Sequence, residues 1–458
     1  MTPTTAAHRG AEQIGHTETG PRPLPPLGVQ RPVPDLFPAY RTLDSGLRVV
    51  VVARRTVPTV ELRLRIPFAG TEPTHPARAE LLAAALLTGT ARRGRVEIDD
   101  ELAAIGGELS VGVDPERLLI SGSALADGLS TLLDVLAELL CSAAYPDVDV
   151  RRERERLVER IAVARAQPRT IAREALQRRR YGNHPVAREM PLPEDVSGVG
   201  AADLRALHDA AVLPLGSTLV LVGDVDPEAT LDSVAAALAG WDRPGTAAEL
   251  PPLPALSGRD LLLVDRPGAV QSQLRLSAAA VSRVDPSYPA VQLANLVFAG
   301  YFSSRLVENI REDKGYTYAA HSYLEFSPCG ATVLVETDVT TEVTAAALLE
   351  TRYELARLSV VPPTEAETES ARRYAIGSLL ISLDSQPGLA GTLAALAAVG
   401  LDADWLRGHP ARLAAVTPEE VATAAVEVFT PTAFTGVVVG DAASVRDRLR
   451  ALGGVELD

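Results

Sequence analysis

Hydrophobic and polar positions along this chain fall into two successive runs of the same order. The first opens at LRVVVVARR, Leu47 to Arg55, where four valines in a row mark a buried strand, and continues in the alternating TVELRLRI from Thr59. Apolar residues then recur at helical spacing over Arg78–Leu87, Ile98–Ile105, Leu129–Leu140 and a long charged segment, Val150–Ala166. The run closes with STLVLVGDVDPEATLDSVAAALAGW, ending at Trp241, which predicts a buried strand, a turn and an amphipathic helix. After the aperiodic RPGTAAELPPLPALSG the order restarts: DLLLVDRPGAVQSQLRLSAAAV repeats the paired-strand opening, and FTGVVVGDAASVRDRL repeats the closing strand, Gly-Asp turn and helix. The pattern predicts an α+β fold of two homologous halves, each a mainly antiparallel sheet packed by helices. The expected boundaries are a disordered Pro-rich arm over 1–36, a first domain over 37–243, a linker over 244–257 and a second domain over 258–458.

Composition narrows the partners. The chain has 458 residues, 47% of them hydrophobic and 22% charged, as in soluble globular proteins. A net charge of −15 argues against a nucleic-acid partner, whose phosphates it would repel. The most apolar stretch, GTLAALAAVGL from Gly391, is too short to span a bilayer, and the first 36 residues show no apolar signal region. Two distant cysteines, Cys141 and Cys329, form neither a disulfide framework nor a metal cluster, so a reducing, cytoplasmic setting is expected.

One stretch concentrates donors. SSRLVENIREDKGYTYAAHSY, Ser303 to Tyr323, gathers arginines, the lysine Lys314 and three tyrosines around Gly315. Ser303 and Ser304 suit a helix N-cap, Phe302, Leu306 and Ile310 fall on one apolar face, and Gly315 suits a left-handed helix stop. A strand is expected from Tyr316 onward. Arg311 then lies in the last helical turn and Tyr318 early in the strand, a turn apart. A guanidinium fork and a phenol hydroxyl are two donors suited to a peptide carbonyl or an oxyanion. Balancing the helix dipole and packing on the sheet account for the same two residues, and spacing alone favours that reading.

This stretch resembles the second-half signature of the M16 (pitrilysin or insulinase-type) zinc peptidases, in which a tyrosine follows an arginine by seven residues, as Tyr318 follows Arg311. LDSGLRVVVV, YGNHPVAREM (Tyr181–Met190), LVLVGDVDPE, VTPEEVATAAVEVFTP and GVVVGD resemble further elements of the family, so the likeness runs over most of the chain. Active members of the family carry His-x-x-Glu-His on a first-half helix, where two imidazoles bind zinc and the glutamate activates water. The corresponding segment here is ELLAAALLTGT, Glu80 to Thr90. Anchored on Gly89-Thr90, Glu80 replaces the first histidine, Ala83 the glutamate and Ala84 the second histidine. The further liganding glutamate falls on Arg160 when Glu153-Arg154 is aligned with the family's Glu-Arg, or on Glu159 with a one-residue slip. His75 is expected on an upstream surface loop. The strand pair around Ser110–Gly112, which in active members adds a peptide as an edge strand, is expected to be structural here.

The resemblance implies a non-catalytic, substrate-binding subunit of a heterodimeric M16B-type metallopeptidase. Arg311 and Tyr318 would act in trans on a site whose zinc is held by a partner bearing His-x-x-Glu-His. The chain itself would hold no metal and no cofactor, its ligand being a peptide. A purely structural M16-fold subunit of a larger complex is the alternative, and a homodimer with an unrecognised metal site is a third, opposed by the lone carboxylate.

Overall fold

The computed structural model describes residues 36–457 and, before them, a minimal antiparallel pair, β1 (His16–Thr17) and β2 (Gly20–Pro21). Apart from that pair and Leu36, the expected arm lies outside the described residues. Residues from Leu36 onward form one compact unit.

The first half contributes β3 (Ala39–Thr42), β4 (Arg48–Ala53), β5 (Thr59–Pro67), β6 (Glu108–Val113), β7 (Arg117–Leu125) and β8 (Thr218–Gly223). Its helices are α1 (His75–Ala85), α2 (Arg95–Ala104), α3 (Leu129–Ser142), α4 (Asp147–Arg165), α5 (Pro168–Tyr181), α6 (Pro193–Ser197), α7 (Ala201–Ala211) and α8 (Pro227–Ala237). The second half follows with β9 (Leu261–Asp265), β10 (Gln271–Ala279), α9 (Tyr288–Asn295), α10 (Arg305–Val307), β11 (Ala320–Ser327) and β12 (Gly330–Thr340). It ends with α11 (Thr344–Val360), α12 (Glu365–Asp384), α13 (Gln386–Ala397), α14 (Ala403–Ala415), α15 (Pro418–Val428), β13 (Thr435–Gly440), α16 (Ala442–Leu452) and β14 (Val455–Leu457). No regular element lies between Ala237 and Leu261, a stretch that contains residues 244–257.

The two sheets repeat each other: β3-β4-β8-β5-β7-β6 in the first half, β14-β9-β13-β10-β12-β11 in the second. In both, the opening strand runs parallel to the closing one, β4 with β8 and β9 with β13, while β5–β7–β6 and β10–β12–β11 are antiparallel ladders. The sixth strand breaks the repeat. In the first half it is the N-terminal β3, antiparallel to β4; in the second it is the C-terminal β14, parallel to β9. The sheets are therefore mixed, and β6 and β11 occupy equivalent open edges.

The closing strands explain how the halves are joined. TLVLVG and TGVVVG are buried almost throughout rather than on alternate positions, the mark of strands covered on both faces. One face of each sheet carries helices of its own half. The other is covered by a helix of the opposite half: α5 lies on β10 and β13, and α13 on β5 and β8. Ala172 and Leu176 of α5 pack with Leu334, Val437 and Val439 of the second sheet. Leu389, Ala390, Leu393 and Leu396 of α13 are buried in turn. Buried Gln386 fixes the start of α13 to the first half by donating to the carbonyls of Arg54 (2.6 Å) and Val57 (3.1 Å).

Arg180 pins the far end of α5. Its guanidinium, almost wholly buried, crosses to the second half and donates to Glu325 (2.6 Å), Ser277 Oγ (3.1 Å) and Thr332 Oγ1 (3.2 Å), while Gln177 Oε1 accepts from its other face (2.8 Å). Among the described residues, no helix is long and apolar enough to cross a membrane. Removing Arg180 leaves Glu325 without its cation at the seam. Arg180→Ala is therefore expected to lower the unfolding free energy by about 2–4 kcal/mol, part of the usual penalty being spared because Glu325 keeps some water. Urea denaturation reads this directly, and a loss under about 0.5 kcal/mol would remove Arg180 from the account of how the halves are held.

Candidate functional site

The stretch from Ser303 to Tyr323 connects the helical layer of the second half to its open sheet edge. Two π-helical turns bracket its start, one over Leu296–Gly300 after α9 and one over Glu308–Asp313 continuing α10. Extra residues inserted into a helix in this way re-aim side chains and recur at functional sites. The first ends in a kink at Ala299 (φ −157°, ψ 20°), after which the backbone extends through Tyr301. Phe302 consequently lies outside the helix and is 62% exposed, so the expected apolar face shared with Leu306 and Ile310 lacks it. Ser304 is the residue at the N-cap, but its hydroxyl donates to the Tyr301 carbonyl (2.6 Å) instead of accepting from the helix.

Arg311 lies in the second π turn. Its guanidinium stacks on the Phe302 ring, 3.9 Å from the centroid, and its Nε faces Glu312 at 3.4 Å. The displaced Phe302 is thus a platform for Arg311, a contact that the helical spacing concealed. Gly315 ends the helix with φ +63°, as expected, and Tyr316 N–H donates back to the Ile310 carbonyl (2.8 Å). The strand starts later than expected, at Ala320, so Tyr318 sits in the connecting loop. Thr317 fixes that loop: its hydroxyl accepts from Ala319 N–H (3.1 Å) and donates to the Asp338 carbonyl of β12 (2.8 Å). Tyr318 itself is 96% exposed, and its hydroxyl bonds to nothing among the described residues. No hydrogen bond joins Arg311 to Tyr318. The structure holds both on one anchored turn and leaves the phenol to solvent.

No local sequence signal marks Arg305, yet it holds this turn in place. Buried, it donates to both oxygens of Glu367 on α12 (2.6 and 3.0 Å) and to the Val361 carbonyl (3.0 Å). Its partner lies too far along the chain to be read from spacing. Lys314 donates to Asn309 Oδ1 (2.8 Å), which leaves it tied to the same helix.

The segment in place of a zinc motif folds as α1, packed against α4. Zinc needs imidazole, thiolate or carboxylate donors converging on one point. Ala83 and Ala84 offer none. Burial pushes the Glu80 carboxyl up, toward its neutral form, and the positive charge of Arg160 across on α4 works against that shift. A cation thus lies opposite the one acid present, where a ligand would be required. Glu159 is exposed, and Glu153 is engaged by Arg95 (2.8 Å) and Arg156 (2.9 Å). Among the described residues no group of three or more His, Cys, Asp or Glu is placed to hold a metal. These residues do not fit a zinc ion.

His75 corrects the sequence reading. It is the first residue of α1, buried rather than on a surface loop, and its Nε2 donates to the Phe68 carbonyl (2.8 Å). Gly70 makes the room, since a Cβ there would stand 2.2 Å from the imidazole. Gly89-Thr90, the anchor of the alignment, has a structural role. Thr90 Oγ1 donates to buried Glu138 (2.7 Å), which Arg93 also holds (2.6 Å). Ser110 to Gly112 lie on β6, at the open edge of the first sheet.

The chain has relatives among known proteins, which bear on its family and fold. The family model described as Insulinase (Peptidase family M16) matches residues 70–194, and the one described as Peptidase M16 inactive domain matches residues 198–374. An uncharacterized zinc protease of Streptomyces coelicolor is 24% identical over 301 residues, 63% of this chain and 65% of the relative, just under two thirds of its length. The uncharacterized zinc protease YmxG of Bacillus subtilis is 22% identical over 75% of this chain and 84% of its own. Among solved structures, a peptidase M16 inactive domain from Pseudomonas fluorescens superposes with a TM-score of 0.82 at 22% identity, covering 88% of this chain and 98% of that one. A protease from Helicobacter pylori superposes with a TM-score of 0.81 at 16% identity, covering 88% and 99%.

Two measurements test this site. Burial pushes the Glu367 carboxyl up, but the Arg305 guanidinium and the Thr364 N–H and hydroxyl outweigh it and hold the group down at about 2, against an ordinary 4.5. A depressed carboxyl stabilises the fold in full above about pH 4.5 and loses that contribution as pH falls toward about 2. Glu367→Gln is therefore expected to be destabilising near neutrality, the gap from wild type closing between those pH values in acid urea titrations. A gap independent of pH would mean that the carboxylate's charge does not matter. Separately, 1,10-phenanthroline is expected to leave the melting temperature of the isolated chain unchanged, and a drop would reveal a bound metal.

Proposed function

Because the chain belongs to the M16 peptidase family, we propose that it is the non-catalytic, substrate-binding subunit of a heterodimeric zinc metallopeptidase, its own first half having no ligand set for the metal. The observation that carries this reading is Tyr318. It is fully presented to solvent on a loop bonded down on either side, one turn from Arg311, although nothing among the described residues uses its hydroxyl. A packing residue would be buried. A donor meant for a ligand outside the chain is held in this way.

The partner is a chain with His-x-x-Glu-His, and its zinc supplies the activation of water. This chain's share is positional. The Arg311 guanidinium, held over the Phe302 ring, offers its fork to a carbonyl or carboxylate of the peptide. The Tyr318 hydroxyl donates to the oxygen that gains charge as the scissile carbonyl becomes tetrahedral. Arg305, through Glu367, holds the turn on which both stand. Neither chain is expected to cleave peptides alone.

The test mixes this chain with an M16 subunit that carries the intact motif and follows peptide cleavage. Arg311→Ala and Tyr318→Phe are each expected to lower kcat/KM of the mixture by about 10²–10³-fold, the usual cost of an oxyanion donor, without changing the circular dichroism spectrum. Undiminished turnover would leave the chain a structural member of the family.

A further inference from the structure

A polar cleft built from both halves belongs to none of the foregoing. It has a volume of about 710 Å³ and lies between the last turn of α5, the linker around Leu256 and the start of β9. Arg178, Arg179, Arg180 and Arg259 line it, and among the described residues no aspartate or glutamate does. The chain as a whole has 59 acidic residues against 44 lysines and arginines, so an acid-free cleft with four guanidinium groups runs against its composition.

Two of the four arginines are committed elsewhere. Arg180 crosses to Glu325, and Arg179 grips Glu456 through both carboxylate oxygens (2.8 and 2.6 Å). Even so, Arg179 Nε is buried without a hydrogen-bond partner. The other two make no ion pair, although the charge of Glu174 is felt by Arg178 and that of Glu456 by Arg259. Arg178 is exposed and makes no side-chain hydrogen bond or ion pair among the described residues; Glu174, one turn back on α5, is bonded to Arg165 (2.8 Å) instead. Arg259 spends one N–H on the Arg179 carbonyl (2.8 Å) and has no carboxylate within ion-pair distance among the described residues.

Charge at a helix end can simply balance the helix dipole, and Arg178–Arg180 do stand in the last turn of α5. That account does not reach Arg259, which comes from the other half. Its position is also imposed by the backbone: neighbouring Gly258 passes so close to the Thr432 carbonyl that a Cβ would meet it at 1.6 Å, and Arg259 N–H donates to the Phe434 carbonyl (3.2 Å). The remaining walls are mostly apolar, Leu256, Leu262 and Val264 among them, with Tyr181 and Ser257 adding hydroxyl groups.

We propose that this cleft binds a small organic phosphate. A phosphate or pyrophosphate group has oxygens for more than one guanidinium fork at once, and Arg178 and Arg259 offer forks from separate walls. The apolar walls accommodate an organic body, and the volume is that of a small-molecule site. Since one wall belongs to each half, the ligand ties the halves together at the seam that α5 already bridges. The site is an effector site, separate from the Ser303–Tyr323 turn.

The test uses inorganic pyrophosphate and adenosine triphosphate as probes on the full chain, with calorimetric titration and thermal unfolding. Saturable binding is expected, with the melting temperature raised by about 3–5 °C at a hundredfold excess over Kd. Arg178→Ala and Arg259→Ala should each weaken binding about tenfold or more, and the double variant should abolish the thermal shift. Arg178 is exposed and Arg259 makes one side-chain bond, so both variants are expected to fold, and Arg311→Ala serves as a control that binds normally. The proposal is overturned if neither probe binds saturably, if binding survives the double variant, or if sulfate at equal ionic strength gives the same shift.

Discussion

The exchange of α5 and α13 between the halves is the constraint on which the rest of the structure depends. Each sheet needs cover on two faces because its closing strand is apolar on both. Each half has helices for one face only, and the missing cover comes from the other half. Burial of this kind stabilises in proportion to the apolar area removed from water, so the two sheets and the seam between them stand or fall together. Arg180 and Gln386 add direction to the non-specific attraction. They fix where along each sheet the borrowed helix begins or ends, since a shift would strand buried donors without acceptors.

The duplication and its elements were legible because hydrophobic period and turn chemistry are local. The valine runs at Val49–Val52 and Val437–Val439 mark strands by themselves, and Gly315 takes the left-handed conformation that its place after Lys314 suggested. What stayed hidden was tertiary. Phe302, Leu306 and Ile310 have helical spacing, but the kink at Ala299 lifts Phe302 out to meet Arg311. Nothing within a few residues of His75 shows that Gly70 leaves space for its ring. Arg305 finds its carboxylate on α12, and no local pattern announces such a pairing. The exchange of helices left one trace, the unbroken apolarity of TLVLVG and TGVVVG, which says that both faces are covered without saying by what.

The two ends of the zinc argument differ in kind. In the first half, the positions of the metal ligands are filled by residues that suit a packed helix, and the one remaining acid faces a cation. In the second half, considerable structure maintains a turn whose tyrosine serves nothing among the described residues. Two π turns, a buried Arg-Glu pair and a threonine clamp all hold a surface feature in one conformation. Rigid support beneath an exposed donor is what preorganised recognition requires.

The exchanged helices also bear on how the polypeptide matures. A ribosome delivers the first sheet complete with β8 at Gly223, but α13, which covers its outer face, spans Gln386–Ala397 and arrives much later. Until then the nascent first half presents a strip of valine and leucine to water or to chaperones, with one face of its sheet uncovered. The polypeptide's last third thus completes the cover of its first, and that face closes late.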